Sequence, residues 1–331
     1  MLNKELKLAS EETLYDRDKV EQIPIRNGFG DGLVIAGDAD PNVVVLCADL
    51  SESTRAQVYQ KKYPDRYVEM GVAEQNMAAT AAGFAAMGKV PFISSYAMFS
   101  PGRNWEQIRT TAGYNNQNVK IAAAHAGISV GPDGATHQAI EDIGIMRGIA
   151  NMIVFVPADA HEARRATVAA AKIKGPVYIR YAREKTPVVT TNDTPFEVGK
   201  AYTYRDGKDV ALIAAGPLVY EALMAAHMLE KEGISARVIN CPTIKPMDEA
   251  TIVKAAKECG AVVSCEEHQV INGLGSAVAE VLARNYPVPQ EFVGVQNRYG
   301  ESGEPNELME KFGLRDHHIA DAAKKVVQRK N

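Results

Sequence analysis

Glu74 lies within Val68-Glu69-Met70-Gly71-Val72-Ala73-Glu74-Gln75-Asn76-Met77, just after a short strand ending near Glu69. Small residues dominate Ala78 to Ala86, so a helix that starts at Glu74 can press its backbone against a neighbour. Alone, such a glutamate is a first-turn carboxylate favoured by the helix dipole. Its context adds more. An aromatic-rich strand and loop with Phe92, Tyr96 and Phe99 comes next, then His125, then Gly131-Pro132-Asp133-Gly134-Ala135-Thr136-His137-Gln138. With Arg180 and Arg183, the set joins an acid that can be buried, several rings, two histidines and two arginines. Carboxyl and imidazole groups suit proton transfer. Arginines suit the binding of phosphate.

Positioning these groups takes a sheet. Val43–Cys47 is a continuous apolar run bounded by Pro41-Asn42 and Asp49, as expected of a strand buried on both faces. Further strands are predicted at Val90–Ser95, Val119–Ala124, Met152–Val156 and Pro176–Arg180, with a clear helix at Ala160–Lys172. This alternation implies a parallel sheet covered by helices. Asp49, His125, Arg180 and Arg183 then follow strand ends, where open α/β sheets place ligand sites. A structural role is the simpler reading of any single histidine; the joint placement carries the functional one.

Residues 1–24 read as a polar N-terminal extension with helical character, 25–186 as the first domain and 187–198 as a linker rich in proline and threonine. Residues 199–331 form a second α/β unit, with strands near Val210–Ala215, Ala236–Asn240, Ala261–Cys265 and Glu291–Val295. Its helices are expected near Leu218–Lys231, Asp248–Glu258, Leu274–Arg284, Glu304–Phe312 and Ile319–Arg329. The fold class is therefore α/β in two domains, each a mostly parallel sheet flanked by helices.

The chain has 331 residues and a net charge of −4, so it offers no basic field for nucleic acid or an anionic membrane. No apolar run approaches the roughly 18 residues of a membrane helix, and Met1 to Gln22 carry no signal-peptide core. Cys47, Cys241, Cys259 and Cys265 lack zinc spacing; reduced thiols in the cytoplasm are expected. Gly28-Phe29-Gly30-Asp31-Gly32 follows Pro-Ile-Arg-Asn rather than a buried strand, so it lacks the setting of a dinucleotide site. Gly216-Pro217 reads as a tight strand-to-helix turn, and His317-His318 as a solvated surface pair.

Several stretches together resemble the C-terminal half of transketolase, over roughly residues 25–328. They are Asp-Pro-Asn-Val-Val-Val-Leu and Ala-Asp-Leu-Ser within 40–51, Gly-Val-Ala-Glu-Gln-Asn-Met (71–77) and Gln-Ile-Arg (107–109). Gly-Pro-Asp-Gly-Ala-Thr-His-Gln (131–138), Thr-Ile-Lys-Pro-Met-Asp (243–248) and Lys-Phe-Gly (311–313) complete them. The resemblance implies a pyrimidine-binding domain for thiamine diphosphate, followed by the transketolase C-terminal domain.

The family also has a preceding domain that holds the diphosphate through Mg²⁺, and residues 1–24 are too few to form it. The resemblance therefore implies the second subunit of a split transketolase, in an α₂β₂ assembly with an N-terminal subunit that supplies the diphosphate and Mg²⁺ half. By the same resemblance, Glu74 binds the aminopyrimidine and acts with His137 in catalysis. A carboxyl in that role must be buried, and burial disfavours its charged form. Phe99 stacks on the ring, Tyr96 and Phe92 line the pocket, and Asp49 lies near the cofactor. Arg26, Ser53, His125 and Arg183 bind the phosphate of a sugar substrate, and Asp133 and His137 bind its oxygens. The loop at 100–106 departs from the family's length and composition. A 2-oxoacid dehydrogenase beta subunit and a deoxyxylulose-phosphate-synthase-like enzyme are the competing enzyme readings. The first is expected to lack the Asp133/His137 pairing, and the second normally keeps both halves in one chain. A non-catalytic scaffold is the reading from another class.

Overall fold

The computed structural model describes residues 1–330. The first domain contains β1 (Gln22–Pro24), β2 (Val43–Cys47), β3 (Tyr67–Glu69), β4 (Val90–Tyr96), β5 (Lys120–Ala124), β6 (Ile153–Phe155), β7 (Val177–Arg180) and β8 (Lys185–Pro187). The second contains β9 (Tyr202–Arg205), β10 (Val210–Ala214), β11 (Ala236–Asn240), β12 (Thr243–Lys245), β13 (Val262–Gln269) and β14 (Gln290–Val295). The larger sheet runs β12-β6-β7-β5-β4-β2-β3 and is parallel except at β12. The smaller runs β14-β13-β10-β11-β9, with only β9 antiparallel. Every residue of β2, β5 and β10 is buried, which is why β2 and β10 read as unbroken apolar runs; in β5 the buried Lys120 is satisfied by Asn118 and the carbonyls of Ile173 and Gly175.

The two domains share elements. Strand β12 belongs to the second domain in sequence but pairs with β6 at the edge of the first sheet. One apolar core accordingly runs from Ile121, Val154 and Tyr178 to Ile213, Ile239 and Cys241. Asp159, fully buried, accepts from the amides of Val189 and Thr190 and from the Thr190 hydroxyl, fastening the linker to the first domain.

The helical extension expected at the N-terminus is reduced to a 3₁₀ turn at Lys4–Leu6 and a single short helix at Glu11–Leu14. Tertiary contacts hold it instead. Leu2 bridges to Arg205, Leu14 is fully buried, and Arg17 forks onto Glu221 at 2.6 and 3.1 Å. The glycine-rich stretch lies inside helix Ile25–Ala39. A Cβ on Gly28 would sit 1.8 Å from the Ala160 carbonyl oxygen, and one on Gly32 would sit 2.6 Å from Thr167 Cβ. Gly28 and Gly32 thus serve helix packing against Ala160–Lys172, while a Cβ on Gly30 would lie 3.0 Å from Arg55 Cβ.

Candidate active site

The carboxyl end of the larger sheet gathers the candidate residues into one contiguous surface. Helix Glu74–Ala86 begins at Glu74, whose side chain is 3% exposed. The loop before it is pinned by Glu69, which accepts from the amides of Asp49 (2.7 Å) and Gly71 (3.0 Å) and from the Tyr67 hydroxyl (2.8 Å). Arg103 places Nη1 3.3 Å from both Glu74 carboxylate oxygens, and its guanidinium lies 4.2 Å from the centre of the Phe99 ring. Asn104, fully buried, bonds the Glu74 carbonyl at 3.1 Å and so locks the 100–106 loop to this helix.

From Phe99 the surface continues through rings. His137 meets Phe99 edge-on at 5.3 Å, Tyr96 stacks with Phe99 at 5.8 Å, and Tyr96 stacks on His125 at 3.9 Å. His125 is 1% exposed, and its Nδ1 has no partner among the described residues. Burial, then the charges of Arg26, Arg183 and His137, push its pKa down to about 3, so it is a neutral imidazole near pH 7. Asp49 and His125, each just beyond a strand end, both hold positive φ (57° and 56°), an uncommon backbone conformation that clusters at functional sites. Arg26 donates to the Ser53 carbonyl and Arg183 to the Val130 carbonyl, each at 2.9 Å.

Asp133 is exposed on the turn Ile128–Asp133, and His137 follows with Nδ1 2.9 Å from the Thr136 hydroxyl. The second domain shapes this turn. Glu267 accepts from the Ser129 amide at 2.6 Å, while Gln138 donates to the carbonyls of Ile128 (3.1 Å), Gly131 (3.3 Å) and Glu301 (3.0 Å).

The structure thus brings together Glu74, Phe99, Tyr96, His125, His137, Arg26 and Arg183. Asp49 is exposed at the end of β2 and bonds Glu69, which pins the loop that precedes Glu74. Ser53 enters through its carbonyl. Phe92 is a correction: it is fully buried four residues before Tyr96 and packs on Phe29 at 6.5 Å, so it fills the core rather than lining the site. Apolar character alone could not separate a core ring from a pocket ring on the same strand face. Arg180, also at a strand end, is 2% exposed and donates to Asp142 at 2.8 Å and to the Glu267 carbonyl at 2.8 Å, a clamp between the domains. Sequence reasoning missed Glu69, Arg103, Asn104 and Glu267. Arg103 and Asn104 lie in the loop whose departure from the family pattern was the available signal.

A parallel-sheet fold whose strand ends present a buried acid, a ring wall and an arginine–histidine cluster is the arrangement in which α/β proteins hold their ligands. Residues 21–188 match the pyrimidine binding domain of transketolase and residues 199–319 match its C-terminal domain. The chain belongs to the transketolase family and is a subunit of the split type. A split-gene transketolase, solved as an inactive β4 tetramer, superposes with a TM-score of 0.88 at 47% identity, over 93% of this chain and 100% of that one. The 6-deoxy-6-sulfo-D-fructose transketolase subunit of a Clostridium species is 41% identical over 95% of this chain and 97% of its own length. Human transketolase is 34% identical over 93% of this chain, which spans only 49% of that protein. Among the described residues, no helix is long and apolar enough to cross a membrane.

Proposed function

We propose that this chain supplies the aminopyrimidine and sugar-binding half of a thiamine-diphosphate-dependent transketolase, which transfers a two-carbon ketol unit from a ketose phosphate to an aldose phosphate. The observation that carries the reading is the continuous run Glu74–Arg103–Phe99–His137–Tyr96–His125. Arg103 tests the fit to the cofactor: a flat, donor-bearing group lies over Phe99 and reaches Glu74, the two contacts that an aminopyrimidine would make. When bound, the cofactor supplies a carbanion equivalent for cleaving and forming the bond beside the ketose carbonyl.

This chain's residues account for the rest. Glu74, nearly buried, holds the pyrimidine edge by a hydrogen bond whose strength rises as water is excluded. Phe99 sets the plane of the ring. His137 faces the rings and can bond a substrate oxygen or relay its proton. Arg26 and Arg183 flank His125, a cationic pair around a neutral donor that suits a phosphate. Asp133, exposed on its turn, would accept from a sugar hydroxyl.

A partner subunit would hold the diphosphate and Mg²⁺, in an α₂β₂ assembly in the cytoplasm. Support comes from coverage: the chain spans about half of the full-length human relative and nearly all of split-type relatives. The Clostridium relative is named for 6-deoxy-6-sulfo-D-fructose, a sugar outside the pentose phosphates. The test is ketol transfer from xylulose 5-phosphate to ribose 5-phosphate with thiamine diphosphate and Mg²⁺, using the chain alone and mixed with the transketolase-like N-terminal subunit of the same organism. Activity in the mixture only is expected. Full activity of the chain alone would overturn the need for a partner, and an inactive but stable complex would overturn the pentose phosphate donor.

A further inference from the structure

The second domain carries a side-chain cluster that the proposed transfer reaction does not use. Helix Pro305–Lys311 ends at Phe312 and Gly313, the latter at φ +72°, and the chain reverses into helix Asp316–Val327. The reversal sets Glu310 on the first helix against His317 and His318 on the second. His317 Nε2 lies 3.0 Å and His318 Nε2 3.8 Å from the same Glu310 oxygen, and one ligand atom from each residue falls within a 4.8 Å group. The imidazoles are in contact, with ring centres 4.0 Å apart.

The two histidines, a partly exposed surface pair, converge on one carboxylate. We propose that Glu310, His317 and His318 form a binding site for a zinc-class divalent transition-metal ion. Zinc bonds to imidazole nitrogen and carboxylate oxygen are about 2.0–2.2 Å long, so tetrahedral ligand atoms lie about 3.3–3.4 Å apart. The two observed separations from Glu310 bracket that value. Metal-binding histidines are commonly oriented through their other ring nitrogen by a carboxylate. His317 Nδ1 lies 3.4 Å from Asp316, which is itself held by Arg17 at 2.9 Å. That arrangement leaves Nε2 as the ligand atom.

Two histidines and one glutamate leave the fourth tetrahedral position open. Glu310 and His317 line a cleft of about 510 Å³ that also contains Arg17, Glu184 and Arg315. The site also has mechanical reach. Pro305, which starts the Glu310 helix, packs so closely on Gly131 that a Cβ there would lie 2.9 Å from its ring. Gly131 belongs to the turn that carries Asp133. An ion that joins the two helices would therefore brace the surface on which this turn rests.

The test is titration of Co²⁺, then Zn²⁺, into the untagged, chelator-treated full-length chain, followed by visible absorption and thermal unfolding. One Co²⁺ per chain with the intense visible bands of a four-coordinate site is expected, displaced by Zn²⁺. Zn²⁺ should raise the unfolding midpoint by about 3 °C. His318→Ala and Glu310→Gln should each weaken Co²⁺ binding at least tenfold, with His317→Gln as an independent variant if either one unfolds. Only weak octahedral absorption at high Co²⁺ in the wild type would overturn the site. So would binding that is unchanged in all folded variants.

Discussion

Arg103 and Glu74 form a forked contact, with one guanidinium nitrogen 3.3 Å from each carboxylate oxygen, although Arg103 is half exposed and Glu74 nearly buried. The same guanidinium covers the Phe99 ring. A ring that stacks on Phe99 and bonds Glu74 must displace Arg103 from both. An ion pair this exposed on one side is worth only about 0.2–1 kcal/mol. Arg103→Ala is therefore expected to tighten thiamine diphosphate binding by the assembled enzyme about two- to five-fold, measured by titrating the apoenzyme. Weaker binding would mean that Arg103 contacts the cofactor instead.

Glu74→Ala in the assembled enzyme should lower kcat by about 10²–10⁴, the usual range for a group that directs proton transfer. Its fold should be retained, because the buried Asn104 still bonds the Glu74 backbone carbonyl. Steady-state ketol transfer beside a circular-dichroism melt checks both halves of this expectation.

Arg26→Ala and Arg183→Ala should each raise KM for a phosphorylated sugar about ten- to hundred-fold, the loss of one charge-assisted hydrogen bond. KM for the unphosphorylated sugar should change much less. Equal losses for both substrates would place the phosphate elsewhere.

Gly127→Ala should cost about 2–3 kcal/mol in unfolding free energy. Gly127 has φ +93°, and a Cβ there would lie 2.3 Å from a Glu267 carboxylate oxygen. Because Glu267 anchors the turn carrying Asp133, KM for the sugar should rise with the loss of stability. Chemical denaturation and kinetics on the same preparation test the coupling.

Acid should destabilise the protein through its buried histidines. Burial, with lesser contributions from nearby charges, holds His125 at about 3 and His268 at about 4, against about 6.5 in an unfolded chain. Between those values the unfolded chain binds protons that the folded chain does not. Their stabilisation is therefore complete above pH 6.5 and is lost as pH falls. Glu162 and Glu266, raised by burial to about 7, act oppositely between about 4.5 and 7, so the net fall steepens below 4.5. His125→Asn should reduce the slope of unfolding free energy against pH by up to about 1.4 kcal/mol per pH unit between pH 4 and 6. An unchanged slope would show that His125 is protonated in the folded protein.

Strand Val43–Cys47 was legible to the residue, because a strand buried on both faces needs an unbroken apolar run. Helix Leu218–Lys231 was equally plain. Strands β9 and β12 were not, since each is short and earns its conformation from a neighbouring strand rather than from its own pattern.

The same division holds at the site. Local sequence determined the alternating strands and helices, the strand-end placement of His125 and Arg183, and an acid at the start of a small-residue helix. These depend on near-neighbour sterics and on which residues water excludes. Only the tertiary structure decided that Phe92 belongs to the core while Phe99 faces Glu74, that Arg103 joins that pair, and that Glu267 shapes the turn before His137 from 138 residues away. Such contacts arise when the sheets pack, and no sequence period encodes a distance across that packing.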